Sequence, residues 1–188
     1  SGHRQATVFG ANAAAAARSL RALGRVAILD VDYHHGNGTQ LIFYSDPDVL
    51  YCSLHVDPDE DYPYYWGGAE ERGAGPGEGA NRNWPLPRST GDEEYLAALD
   101  DALAAVGAFQ SRRLVVSAGF DGLAGDPEGS FQLTIAGLAE IGRRIGALGL
   151  PMAIVQEGGY RLETLGAGAV AFLRGCAAGA LEDRTKEA

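Results

Sequence analysis

In the stretch LDVDYHHGNG, Leu29 to Gly38, two residues have the types and spacing to hold a metal ion. Asp32 and His34 are two apart, so on an extended chain they project to the same side. A carboxylate oxygen beside an imidazole nitrogen suits zinc or another borderline divalent cation, and a catalytic zinc needs three protein ligands and an open position. The same residues also fit a polar turn in which aspartate caps backbone amides. The third ligand must come from elsewhere. Asp126 in GFDGLAGDP is the candidate, although Asp-Pro is also an ordinary turn starter. Tyr160 follows Glu157-Gly158-Gly159, whose glycines let the backbone turn sharply and approach a ligand. A phenol aimed at that ligand can donate a hydrogen bond to the oxyanion that develops in acyl transfer. A tyrosine packed at a strand end is the alternative.

These loops need strands behind them. RVAILD (25–30), VLYCSLH (49–55) and RLVVSAG (113–119) are β-branched and nearly continuously apolar, as strands buried on both faces are. PMAIVQEGG (151–159) is a fourth, and NWPLP (83–87) a short, weak fifth. Helical patterns run from Asn12 to a stop at Gly24, from Asp92 to Phe109, from about Thr134 to Leu148 and from about Leu162 to Ala180. Thr90 and Glu93 have the spacing of a capping box before the second of these. Strands alternating with helices predict a doubly wound, mainly parallel α/β sheet with helices on both faces. Ligands of such sheets gather beyond the carboxyl ends of the strands, which is where the chemistry-bearing loops fall.

With 188 residues, 46% of them hydrophobic and 21% charged, the chain reads as one globular domain spanning 1–188. Fifteen Lys and Arg against 25 Asp and Glu give a net charge of -10. That balance argues against nucleic acid or an anionic membrane and suits a cationic substrate, or simply a solvated surface. Two cysteines in apolar surroundings, Cys52 and Cys176, predict no disulfide framework and a reducing, cytoplasmic setting. No apolar run has the length of a membrane span, and SGHRQATVFGAN does not read as a signal peptide.

Taken together, DVDYHHGNGTQLIFY, YCSLHVDP, ERGAGPGEGANRNWPLP, SAGFDGLAGDP and QEGGY resemble the zinc-dependent histone deacetylase superfamily. The bacterial branch of acetylpolyamine amidohydrolases and class II-like deacetylases fits best, over about residues 10–180. The resemblance implies an arginase/deacetylase-like fold and hydrolysis of an acetyl group from a primary amine such as acetyl-lysine or an acetylpolyamine. It implies Asp32, His34 and Asp126 as zinc ligands and Tyr160 as the oxyanion-stabilising residue. It also implies a structural potassium held by Asp30, the hydroxyl of Ser53 and backbone carbonyls of Asp32, His34 and Leu54. Tyr62 would form an aromatic wall of the acyl channel, Gly158 would lie against substrate, and His35 would support the loop.

The sequence departs from the family at one place that matters for turnover. The family carries a His-His pair in a GHHA motif; here SGHRQA offers His3, with Arg4 where the second histidine belongs. Asp30 and Asn37 occupy the positions that support that pair. The resemblance therefore implies a chain without the N-terminal part of the full fold: a truncated or internally deleted relative, one piece of an assembly completed by a homo-oligomer or another chain, or a sequence from which that part is omitted. A metal-binding module that holds acylated amines without turnover is the rival reading. An arginase-type site with two manganese ions is a third, disfavoured because it needs more carboxylate ligands than these loops offer.

Overall fold

A computed structural model describes residues 11–186 and shows a five-stranded sheet, all of its strand pairs parallel, in the order β3-β2-β1-β4-β5. The strands are β1 (Val26–Asp30), β2 (Val49–Val56), β3 (Asn81–Leu86), β4 (Arg113–Ala118) and β5 (Met152–Gln156). Every residue of β1 and β2 is buried, which is why those segments read as unbroken apolar runs. β3 lies at an edge and alternates buried Asn81 and Asn83 with exposed Arg82, and Pro85 fits there because an edge strand can spare a ladder donor.

The helices are α1 (Ala11–Arg21), α2 (Asn37–Phe43), α3 (Asp92–Phe109), α4 (Ile135–Gly146) and α5 (Leu162–Lys186), with a 3-10 turn at Gly75–Gly77. α3 packs Leu99, Ala102 and Val106 into the larger core together with β1, β2 and β4. Ala13, Ala14 and Ala17 of α1 close a second cluster over Ile28, Tyr51 and Val115 on the other face. Helices therefore cover both faces, as the strand–helix alternation requires. Two local expectations change. α2 is a helix where the sequence read as loop, and α3 starts from Gly91 with no side-chain cap. Thr90 donates its hydroxyl to Glu94 instead of closing a box with Glu93.

α4 and α5 meet through small residues. A methyl at Gly175 or Gly179 would strike backbone of α4, and one at Gly142 or Gly146 would strike backbone of α5. This close approach buries Phe172 and Cys176. The opposite side of α5 leaves Leu162, Val170, Leu173 and Leu181 exposed, and β5 is only half-buried. By length and composition α5 is long and apolar enough to cross a membrane, contrary to the expectation from unbroken apolar runs; its other side belongs to the core against α4.

Candidate metal centre and active site

The chain runs from β1 to β2 and β3 on one side, then crosses to β4 and β5 on the other. Beyond the carboxyl ends of β1 and β4 the connections part, leaving a crevice of the kind where α/β sheets bind ligands. A cavity of about 360 Å³ opens there, lined among others by Asp32, His34, Tyr62, Glu128, Gly158 and Tyr160.

At its floor Asp32, His34 and Asp121 each point a ligand atom to one place, all within 4.8 Å of one another. His34 Nδ1 lies 3.1 Å from Asp121 Oδ2 and 3.5 Å from Asp32 Oδ1. Backbone amides fix the carboxylates. His34 N donates to Asp32 Oδ1 (2.9 Å), Gly158 N to Asp32 Oδ2 (2.9 Å) and Tyr33 N to Asp121 Oδ1 (3.1 Å). Asp121 is fully buried. Burial, and then the charge of Asp32, push its carboxyl up against the opposing hydrogen bond from His34. Burial alone would lower the His34 imidazole, but hydrogen bonds and charges from Asp121 and Asp32 outweigh it and raise its pKa. Two carboxylates crowded on one imidazole are what a divalent cation would neutralise. The donor set of two oxygens and one nitrogen, with a cavity above it, fits catalytic zinc.

This geometry corrects the sequence reading of the third ligand. The structure brings Asp121, not Asp126, to Asp32 and His34. Continuing the pairing of Asp30 with Ser117 beyond the ladder puts His34 level with Asp121, on the side that Asp32 shares. Asp126 sits beyond a further turn, and its carboxylate is spent on backbone amides of Glu128, Tyr160 and Arg161. The register was the signal; Asp121-Gly122 and Asp126-Pro127 look equally turn-like when read as strings.

Glycines make the site possible at two points. A methyl on Gly119 would collide with Asp32, and one on Gly158 with both Asp32 and Asp121. Gly158 thus forms the wall behind the carboxylates. Tyr160 stands at the mouth, 53% exposed, its phenol pKa raised by burial and by the charges of Asp121 and Asp32, so it stays protonated as a donor. Tyr62 faces the His34 ring at 6.0 Å between centroids. It is held from behind, since Asp61 accepts from the hydroxyl of Tyr33 (2.8 Å) and from Arg88 (2.7 Å).

Asp30 is buried at the end of β1, in register with Ser53 of β2 and Ser117 of β4. It accepts from Tyr51 Oη (3.0 Å), and burial followed by the Asp32 charge raises its pKa well above the ordinary carboxylate range. Ser53 Oγ lies 2.7 Å from His55 Nδ1, and Leu54 is fully buried. His35 is buried against Gln40 (3.0 Å) and the His55 ring, a supporting place in the loop. Asn37 is buried at the start of α2. His3 and Arg4 lie outside the described residues. Glu128 and Glu157, which sequence reasoning did not single out, also line the cavity.

Residues 8–176 match the histone deacetylase domain family. The chain is similar to acetylpolyamine amidohydrolase 1 of Pseudomonas aeruginosa, 48% identical over 166 residues that cover 87% of this chain and 48% of the relative. The acetylpolyamine amidohydrolase of Mycoplana ramosa is 45% identical, covering 88% and 49%. The crystal structure of acetylpolyamine aminohydrolase from Burkholderia pseudomallei superposes with a TM-score of 0.87 at 47% identity, over 89% of this chain and 49% of that one. The chain spans about half the length of these relatives. A parallel α/β fold, a carboxylate–imidazole–carboxylate cluster at its switch point and a family match over most of the sequence agree: the chain belongs to the histone deacetylase domain family.

Proposed function

We propose that this chain carries the metal-holding, oxyanion-facing part of a zinc-dependent amidohydrolase site that removes an acetyl group from a primary amine of the acetyl-lysine or acetylpolyamine type. The observation that carries it is the convergence of Asp32, His34 and Asp121 under a cavity with Tyr160 at its mouth. The chemistry a zinc bound there supplies is polarisation of the amide carbonyl and activation of a water near neutral pH. Gly158 N and Tyr33 N orient the ligand carboxylates. The Tyr160 hydroxyl donates to the oxygen that gains charge as the amide is attacked. Tyr62 packs on the alkyl stem of the substrate, and Glu128, Glu157 and the net charge of -10 favour an amine that is cationic beyond its acetylated end. Asp30, Ser53 and Leu54 hold a structural potassium in this reading, supported by a buried Asp30 carboxylate whose charge burial opposes. The two buried free thiols fit a cytoplasmic setting.

One observation favours the second reading, binding without turnover. Among the described residues the histidines at the cavity are His34, committed to the carboxylate cluster, and His35, buried against Gln40. Neither is placed to carry the proton of general acid–base catalysis, a contribution of about 10²- to 10⁴-fold. An assembly, with itself or with another chain, would supply that group and cover the half-exposed β5 and the leucines of α5.

The test is metal analysis followed by assay of zinc-loaded protein on a fluorogenic acetyl-lysine peptide and on an N-acetylated polyamine. One zinc per chain, turnover, and loss of turnover in Tyr160→Phe support the enzyme. One zinc with alkyl-hydroxamate binding but no turnover selects the second reading. Two manganese ions per chain would overturn both.

A further inference from the structure

We propose that Asp126 is the positioning residue for Tyr160. It sets the direction of the phenol by holding the backbone on which the phenol stands. The inference rests on the oxyanion-stabilising role proposed for Tyr160 and assigns a task to a carboxylate outside the metal cluster.

Asp126 is 7% exposed, in the loop after β4. Its Oδ2 accepts from Tyr160 N at 2.8 Å and from Arg161 N at 2.9 Å, while Oδ1 accepts from Glu128 N at 3.0 Å. Its own amide donates to Leu123 O, so the carboxylate stands on a closed turn. The contact is reciprocated, since Arg161 Nη1 donates to Ala124 O at 3.0 Å. These bonds tie the loop after β4 to the loop after β5, which carries Tyr160 at the cavity. Hydrogen bonds from two amides to one carboxylate are charge-assisted and short, about twice as strong as neutral ones.

Tyr160 has little else to orient it. No side chain among the described residues hydrogen-bonds its hydroxyl, and half of its surface is open. The preceding Gly159 adopts φ +123°, backbone that favours glycine, and a methyl added there would run into Leu165 and Phe120. Once the backbone of Tyr160 and Arg161 is released from Asp126, that glycine gives the loop a free joint. A phenol displaced by about 1 Å loses most of its benefit to a developing oxyanion. Electrostatic capping adds to the hold, because the same carboxylate sits at the N-terminal end of α5.

A merely structural Asp126 would lower stability and activity independently of Tyr160, and a metal-ligating Asp126 would lower zinc affinity. A double-mutant cycle separates these roles. Wild type, Asp126→Ala, Tyr160→Phe and the double variant are loaded with zinc and compared for zinc affinity, kcat, KM and affinity for an alkyl hydroxamate, which engages the metal and the phenol together. Asp126→Asn, which keeps the shape and one acceptor, replaces Asp126→Ala if the latter does not fold.

The expected result is zinc affinity within about 3-fold of wild type, KM within about 2-fold, and kcat down by about 10- to 100-fold, the range for displaced catalytic hydrogen bonds. On the Tyr160→Phe background the same substitution costs less than about 2-fold, and Asp126→Asn recovers part of the loss. Losses that multiply across the cycle overturn the proposal, as does a fall in zinc affinity beyond about 10-fold. If the wild-type chain does not turn over, the proposed activity has failed. The cycle is then read on hydroxamate affinity, where coupling between positions 126 and 160 supports the positioning role and additivity refutes it.

Discussion

Replacing Gly158 by alanine changes no ligand and tests whether the carboxylates must stand where they do. Gly158 lies outside the left-handed region that favours glycine, so alanine imposes no backbone penalty there. Its new methyl would lie 2.6 Å from Asp32 Oδ2 and closer still to Asp121 Oδ2, where ordinary contact begins at 3.4 Å. Each carboxylate must therefore retreat by about 0.8 Å or more, while metal–ligand distances tolerate only about 0.2 Å. Gly158 N also gives up its bond to Asp32 if the wall moves instead. In the first case two of the three proposed metal ligands leave ideal distance, and in the second Asp32 loses the amide that orients it. Outer-shell changes alone cost about 10- to 100-fold in affinity, so displacement of two ligands predicts a loss of at least about 100-fold. Isothermal titration with zinc, competed against a chelator of known affinity, measures it, with circular dichroism confirming the fold. Zinc affinity within about 3-fold of wild type would refute the placement of both carboxylates.

Zinc added at about 1,000 times its dissociation constant should stabilise the fold by about 4 kcal/mol and raise Tm by about 10 °C, and Asp121→Asn should abolish that shift. Calorimetry with and without a chelator reads it. At the α4 surface, Arg143 and then Arg144 donate to Glu140 and pull its carboxyl from 4.5 down to about 2. Because the folded-state value is depressed, this stability is complete above pH 4.5 and fades as pH falls toward 2. Glu140→Gln should then lower stability at neutral pH by at most about 1 kcal/mol, since the pair is largely exposed, and the gap should close near pH 2. Urea melts across that range check the sign. Phe172→Ala removes a buried ring packed edge-on to Phe120 and should cost about 3–5 kcal/mol in the same melts.

The sheet was legible because four of its strands carry long apolar runs, and the order of strands and helices fixed a parallel arrangement with its ligand crevice. β3 read weakly since an edge strand with Pro85, Asn81 and Asn83 lacks that signature. α2 was missed because GNGTQLIF begins as a glycine loop and its helix is stabilised by packing Phe43 and Gln40 inward, which no local pattern announces. Asp32 and His34 could be paired from spacing alone, being two residues apart in the segment that leaves β1, although the structure bends there and His34 N closes back on the Asp32 carboxylate. Asp121 could not, because its place depends on the alignment of β4 with β1, a tertiary fact. The glycines showed where backbone comes close, but not that Gly119 and Gly158 make room for carboxylates.

In the proposed site one metal is held by Asp32, His34 and Asp121, and Asp126 stands apart from it. Anomalous diffraction at the zinc edge from crystals of the zinc-loaded chain tests this most directly. The prediction is a single strong peak about 2.0–2.2 Å from a carboxylate oxygen of Asp32, from His34 Nδ1 and from a carboxylate oxygen of Asp121, with the Asp126 carboxylate still on the amides of Tyr160 and Arg161. A peak ligated by Asp126, or lying away from the three predicted residues, would contradict it.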